Sequence, residues 1–152
     1  MDREILFRGK RESDGKWLYG LYSDHFVHGT DFPCIMPLRM EKDDGDWAVL
    51  RETVGQYTGL TDKNGTKIFE GDIVRTQPFS DRLYSKKAKF KQHIGIVEYV
   101  IRHFKNSLYE QDYEAGWRVK IKDYDKFGYY DWSTFFKCEV IGNIHDNPEL
   151  LK

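Results

Sequence analysis

Cationic and aromatic side chains are interleaved between positions 82 and 105, which makes this stretch the best candidate for contact with a polyanion. Seven Lys or Arg residues lie there with a single acid, Glu98. Because cations neutralise phosphates and rings stack on bases, the pattern suits nucleic-acid binding. A solvated loop kept soluble by its lysines is the alternative interpretation. The residues predicted for nucleic-acid contact are Arg82, Tyr84, Lys86, Lys87, Lys89, Phe90 and Lys91.

Aromatic residues are the second candidate, since they make up 16% of the chain. They crowd its final third, where adjacent rings such as Tyr129 and Tyr130 fall on both faces of a strand. Aromatics anchor the cores of interfaces, which predicts a homo-oligomer or a protein partner. Packing between two sheets would absorb the same rings and is the alternative. The predicted interface residues are Trp117, Tyr129, Tyr130 and Trp132.

Oxygen, nitrogen and sulfur donors gather between positions 24 and 34, and such donors can serve a divalent metal as ligands. A spacing of three residues would place them on one face of a helix. The neighbouring pairs Phe26-Val27 and Gly29-Thr30 favour strand and turn instead, which point side chains in several directions. We therefore expect surface histidines beside a turn, with no metal and no cofactor. The donors concerned are Asp24, His25, His28, Asp31 and Cys34.

Hydrolytic chemistry needs two carboxylates with separated pKa values, or a nucleophile with its base. Glu70, Asp72 and His145 are the set considered for it, but nothing in the sequence fixes these residues near one another. Acids beside Gly71 and Pro148 more often build turns. Phosphate-loop and dinucleotide fingerprints are missing as well. We therefore expect that the protein is not an enzyme.

Residue types favour a mostly β chain with little helix. Val, Ile, Thr, Tyr, Phe and Trp number 49, whereas alanine, the best helix former, occurs three times. Thirteen glycines, with Asp, Asn and Ser around them, cut the chain into pieces of hairpin length. Strands are expected near 5–8, 17–21, 94–101, 117–121, 129–132 and 137–141.

Glycine-containing turns and the distribution of charge suggest how the chain is organised. An N-terminal β-hairpin region is expected at 1–53, a second region at 54–146 with a basic loop insertion at 77–92, and a C-terminal tail at 147–152. The net charge of −1 offers no general attraction to a polyanion or an anionic membrane. No apolar stretch approaches transmembrane length, and residues 1–15 lack the apolar core of a secretory signal. We expect a cytoplasmic protein without membrane contact.

Three stretches carry a resemblance to a known family. They are the opening hairpin at 5–10 and 15–20, the glycine-punctuated segment at 54–74, and the ending at 139–151. Together they resemble the YopX family of phage and prophage proteins. The resemblance implies a β-rich protein with a small SH3-like barrel in the later half. It also implies that the gene belongs to mobile genetic elements. The family has no established activity, so no catalytic residues are carried over.

The segment at 54–74 is the most distinctive part of the resemblance. Its glycines are interpreted as turn residues of the backbone. The core residues are interpreted to be Ile68, Phe69, Ile73 and Val74. The alternative is a shared binding surface that uses exposed Gln56, Tyr57 and Asp72. The predicted function is a non-enzymatic accessory module that binds a protein partner or itself. A small nucleic-acid-binding barrel that uses the loop at 82–91 is the alternative function.

Overall fold

The computed structural model describes residues 4–27, 30–39, 46–78, 90–106, 109–121, 129–130 and 137–152. Every strand pairing found in these ranges is antiparallel, and short 3-10 turns lie at Arg51–Thr53 and Pro148–Leu151. The mostly β class expected from residue types is confirmed. The strands are β1 (Phe7–Lys10), β2 (Trp17–Val27), β3 (Thr30–Pro37), β4 (Gly55–Thr61), β5 (Lys67–Phe69), β6 (Asp72–Arg75), β7 (Ile94–Asn106), β8 (Tyr109–Ile121), β9 (Tyr129–Tyr130) and β10 (Glu139–Asn143).

The chain divides into two compact units, Met1–Gly59 and Leu60–Lys152. In the first unit the strand order is β3-β2-β1-β4. Strand alternation sends Leu18 and Ile35 to one face of this sheet, where they meet Val49 in a buried cluster. Each such aliphatic side chain contributes roughly 1.5–3 kcal/mol when it leaves water. This cluster therefore fixes which face of the sheet lies inside the first unit.

In the second unit the strand order is β10-β6-β7-β8-β9, and β5 follows β4 after the turn at 62–66. Strands β7 and β8, thirteen residues each, form one long hairpin. Apolar side chains from several strands meet beneath the inner part of that hairpin. The buried cluster consists of Ile68, Val74, Val97, Trp117, Val119, Ile121 and Cys138.

The two strand orders are open in the described ranges and do not close into a barrel there. The SH3-like barrel expected at 54–146 stays a prediction. Most of the expected loop insertion at 77–92 falls outside the described residues. Among the helical turns that the structure describes, none is long and apolar enough to cross a membrane.

Candidate interaction surface

The β7–β8 hairpin carries an apolar face that continues beyond the core. Register pairs Val97 with Val119 and, four residues further out, Ile101 with Ala115. Side chains two apart on a strand share a face, so Val97, Tyr99 and Ile101 form one row. Val97 is fully buried, whereas Tyr99 is 49% and Ile101 63% exposed. We name the exposed set Tyr99, Ile101 and Ala115 the outer hairpin face.

Trp117 anchors the inner edge of this face. It lies opposite Tyr99 in the register, and its ring meets the tyrosine ring edge-on at 5.1 Å between centroids. This T-shaped geometry is favourable for aromatic rings and restrains the tyrosine side chain. Trp117 itself is only 4% exposed and belongs to the core cluster. Trp117, one of the predicted interface aromatics, is therefore the buried ring of this pair, and Tyr99 is the accessible one.

The other predicted interface aromatics lie further along the same sheet. Tyr129 and Tyr130 form β9, which pairs with Lys120 and Val119 of β8 as the last strand in the order. Trp132 lies outside the described residues. The predicted interface residues that the structure describes are therefore all placed on the β8–β9 side of one sheet, although the role of each stays a prediction.

The opposite face of the hairpin mixes charged side chains with half-buried aliphatic ones such as Ile96. Glu98 and Lys120 form an ion pair at 3.6 Å between Oε1 and Nζ. Arg118 lies on the same face and donates from Nη1 to the Trp117 carbonyl oxygen at 2.8 Å. One face of the hairpin thus combines charged and half-buried aliphatic side chains, while the other is apolar and partly exposed.

The basic segment is described only at its end. Phe90 is 61% exposed and Lys91 is exposed beside it. The remaining residues predicted for nucleic-acid contact lie outside the described ranges, and they are Arg82, Tyr84, Lys86, Lys87 and Lys89.

Asp62, which sequence reasoning did not single out, ties the 54–74 segment to β10. Its Oδ1 accepts the backbone N–H groups of Asn64 and Thr66 at 2.8 and 2.9 Å, and its Oδ2 accepts that of Val140 at 3.0 Å. Burial of the carboxyl raises its pKa, but these hydrogen bonds outweigh that effect and hold the pKa of Asp62 below its usual value. The sequence predicted the Asn64-Gly65 turn. It did not predict the contact between Asp62 and Val140, which are 78 positions apart.

The interpretation of 54–74 as structural gains support from two buried side chains. Asp72 is 2% exposed, and its Oδ2 accepts the backbone N–H of Phe69 at 2.8 Å. Tyr57 is buried as well, while Gln56 is half-buried. The alternative of a binding surface that uses exposed Gln56, Tyr57 and Asp72 is therefore wrong for Tyr57 and Asp72, because both side chains are buried.

The residues considered for hydrolysis come from neighbouring parts of the second unit. The backbone N–H of Ile144 donates to the Gly71 carbonyl at 3.0 Å, which brings His145 and the Glu70–Asp72 turn into one region. Burial of Asp72 nevertheless closes its carboxylate to a dissolved substrate. Its bond to Phe69 N–H is the bond of a turn, as the sequence pattern predicted.

The donors considered for a metal belong to the first unit. Asp24 accepts a hydrogen bond from the Tyr22 hydroxyl at 2.9 Å and forms an ion pair with Arg51 at 2.9 Å. The tyrosine hydrogen bond, with the arginine, lowers the pKa of Asp24. Within the described ranges, which leave out His28, no cluster of three His, Cys, Asp or Glu side chains could hold an ion.

Comparison with known proteins gives a family and similar solved structures. The family model described as YopX protein matches residues 6–152. A search of the curated proteins finds no match. A solved structure titled as the crystal structure of protein EF1440 from Enterococcus faecalis is 21% identical to this chain. The similarity covers 99% of this chain and 100% of that one, with a TM-score of 0.48. Because the family model spans nearly the whole sequence, the chain belongs to the YopX family.

Proposed function

We propose that this protein is a non-enzymatic binding module that self-associates through the outer hairpin face. The observation that carries the proposal is the row Val97, Tyr99 and Ile101, in which burial gives way to exposure while the side chains stay apolar. A second copy of the same face would remove Tyr99 and Ile101 from water. Apolar area buried in this way contributes roughly 25 cal/mol per Å².

Two further features favour a contact between copies. Tyr99 is held by the Trp117 ring, so an approaching partner orders little that is not already ordered. Two copies that each carry a net charge of −1 repel each other very weakly. Aromatic residues such as Tyr99 are enriched at the centres of interfaces, where they supply most of the binding free energy.

The matched variants Ile101→Lys and Ile5→Lys test this proposal. Both isoleucines are largely exposed, at 63% and 59%, but Ile5 lies in the first unit. Sedimentation equilibrium should show the dissociation constant of the oligomer rising at least about tenfold for Ile101→Lys, because a charge enters an apolar contact. The Ile5→Lys variant should associate like the parent protein.

Circular dichroism and urea unfolding would confirm that both variants fold. Substitutions at exposed sites change the free energy of unfolding by no more than about 0.5 kcal/mol. A folded Ile101→Lys variant that associates as tightly as the Ile5→Lys variant would remove the outer hairpin face as the contact.

Nucleic-acid binding is the second candidate function, favoured by the exposed Phe90 ring next to exposed Lys91. A ring that can stack beside a cation suits a single strand. We expect such binding to weaken steeply with salt, and replacing Lys86, Lys87, Lys89 and Lys91 by Gln to abolish it without unfolding the chain. Unchanged affinity of the folded quadruple variant for a labelled oligonucleotide would discard the segment as the site.

The setting we propose is the cytoplasm of a cell that carries a phage or prophage. The family resemblance supports a mobile-element origin, and the near-neutral composition is compatible with a protein that meets other proteins rather than a membrane surface. In that setting the module would act as an accessory protein, by holding copies of itself or another protein together.

A further inference from the structure

An asparagine followed by a glycine lies exposed in the turn between β4 and β5. Asn64 and Gly65 are both exposed, and Gly65 has a φ of +84°. The Gly65 N–H donates to the Asp62 carbonyl oxygen at 3.0 Å, and the Asp62 N–H donates to the Thr66 carbonyl oxygen at 2.8 Å. Short hairpin loops that contain a left-handed glycine show this pattern. The peptide bond between Asn64 and Gly65 is therefore accessible to water.

The chemistry available to such a pair is attack by a backbone nitrogen on a side-chain amide. When the Gly65 nitrogen has lost its proton, it can form a bond to Cγ of Asn64. The Cγ–Nδ2 bond then breaks, and the released nitrogen takes up a proton and leaves as ammonia. Water hydrolyses the cyclic imide at either of its carbonyl carbons. One opening leaves aspartate at position 64, and the other leaves isoaspartate, in which the main chain runs through the former side chain.

The surroundings of Gly65 leave room for this attack. A Cβ built at Gly65 would meet no atom of the described residues within 4 Å, so the imide ring can form without a clash on that side. The Gly65 nitrogen is held by its hydrogen bond to the Asp62 carbonyl oxygen. Breaking one exposed hydrogen bond lowers the reactive fraction by only about two- to tenfold. The fold therefore slows the attack but does not prevent it.

Asn143, at the end of β10, provides a contrast within the same unit. It is followed by Ile144, whose branched side chain crowds the attacking nitrogen. The Asn143 side chain is also held in place. Its Oδ1 accepts the N–H groups of His145 and Asp146 at 3.0 and 2.9 Å, and its Nδ2 donates to the Asp146 carboxylate at 2.9 Å. The structure therefore favours reaction at Asn64 over reaction at Asn143.

The turn that carries the reactive pair is attached to β10 at two points. The Asp62 carboxylate accepts the Val140 N–H at 3.0 Å, and the Lys63 N–H donates to the Cys138 carbonyl oxygen at 3.0 Å. The other Asp62 carboxylate oxygen accepts the Thr66 N–H at 2.9 Å, across the reactive pair. Isoaspartate lengthens the main chain between Asp62 and Thr66 and adds a second carboxylate nearby. The altered spacing and the repulsion between like charges both oppose these hydrogen bonds.

We propose that Asn64 is a site of spontaneous deamidation, and that isoaspartate formed there loosens the attachment of the turn to β10. The reaction needs only water, and its rate rises with pH because the attacking nitrogen must first lose a proton. Hydrolysis of the imide does not restore the amide, so the change is one-way. It is independent of self-association, because Asn64 does not belong to the outer hairpin face.

Peptide mapping of the folded parent protein tests the site. During days in mildly alkaline buffer, the peptide that contains Asn64 should become heavier by about 1 Da, and an isoaspartyl methyltransferase should label it. Asn143 should react at least about tenfold more slowly, because its side chain is hydrogen-bonded. The matched control Asn64→Gln should give no product at this position, since a longer side chain closes the ring poorly. No product at Asn64 in the folded parent, or equal rates at Asn64 and Asn143, overturns the proposal.

Amide hydrogen exchange tests the effect on β10. In NMR spectra of fully converted protein, the Val140 N–H should exchange at least about tenfold faster than in fresh protein, because its acceptor on Asp62 is displaced. Amides of β7 in the β6–β7 pairing, such as that of Ile96, should exchange as before. Asn64→Gln stored in the same way should keep slow exchange at Val140. Unchanged exchange at Val140, or an acceleration shared by the β7 amides, would contradict a local loosening of the turn.

Discussion

At the scale of single residues, two buried carboxylates of the second unit satisfy backbone N–H groups. Asp62 accepts three of them and Asp72 accepts the one at Phe69. Acids beside glycines suggested turns from the sequence, and the turn at Asp72 agrees with that. The reach of Asp62 to Val140 could not be predicted, because it depends on strand pairing between distant parts of the chain.

Asp62→Asn tests this role of the carboxylate. The amide has one acceptor oxygen, so it cannot satisfy the N–H groups of both Thr66 and Val140 as the carboxylate does. We expect the free energy of unfolding of the second unit to fall by about 2–3 kcal/mol in urea titrations at pH 7. Asp31→Asn, at an exposed position in the first unit, is the control and should change little. Equal stability of the two variants would contradict the account of Asp62.

The same carboxyl predicts a pH dependence. Its folded pKa is lowered, so the unfolded chain binds more protons as the pH falls below the usual Asp pKa of about 3.9. The stability that Asp62 contributes is therefore fully present above that pH and is lost as the pH falls towards its folded pKa. Urea titrations of the parent and Asp62→Asn should show a stability difference that shrinks below about pH 4. A constant difference down to pH 3 would oppose this view.

At the scale of elements, composition predicted the β class because period-two patterns and glycine turns depend on local sequence alone. The strands expected at 94–101 and 117–121 were correct in place but short. In the structure β7 continues to Asn106, and β8 already begins at Tyr109. Charged residues such as Arg102 and Glu114 conceal this extension in the sequence, because they interrupt the run of apolar residues that predicted the strands.

The Asn64-Gly65 turn that starts β5 gives a prediction at this scale. Gly65 has a φ of +84°, and a Cβ added there would meet no atom within 4 Å. Any cost of Gly65→Ala is therefore conformational, and we expect it to lower the free energy of unfolding by about 1 kcal/mol. Gly65→Asn should lose less, because asparagine tolerates this conformation better. An alanine variant as stable as the parent, or more stable than the asparagine variant, would refute the explanation.

At the scale of the whole molecule, the sequence predicted that aromatic strands of the later half form a contact surface, and it named Trp117. The structure instead buries that ring and exposes Tyr99 and Ile101 opposite and beyond it. The alternation of Val97, Tyr99 and Ile101 was visible in the sequence. The sequence did not show where the core ends along β7, because that depends on which other strands cover the hairpin.

Light scattering behind size exclusion, at about 0.1 M and 1 M salt, tests the proposed self-association most directly, with the absorbance ratio reporting any nucleic acid. We predict a mass at a multiple of 18.1 kDa that high salt does not reduce, with no nucleic acid present. A monomer at every concentration and salt would contradict self-association. A monomer that carries nucleic acid until high salt removes it would contradict it as well and would favour the basic segment as the functional part of the chain.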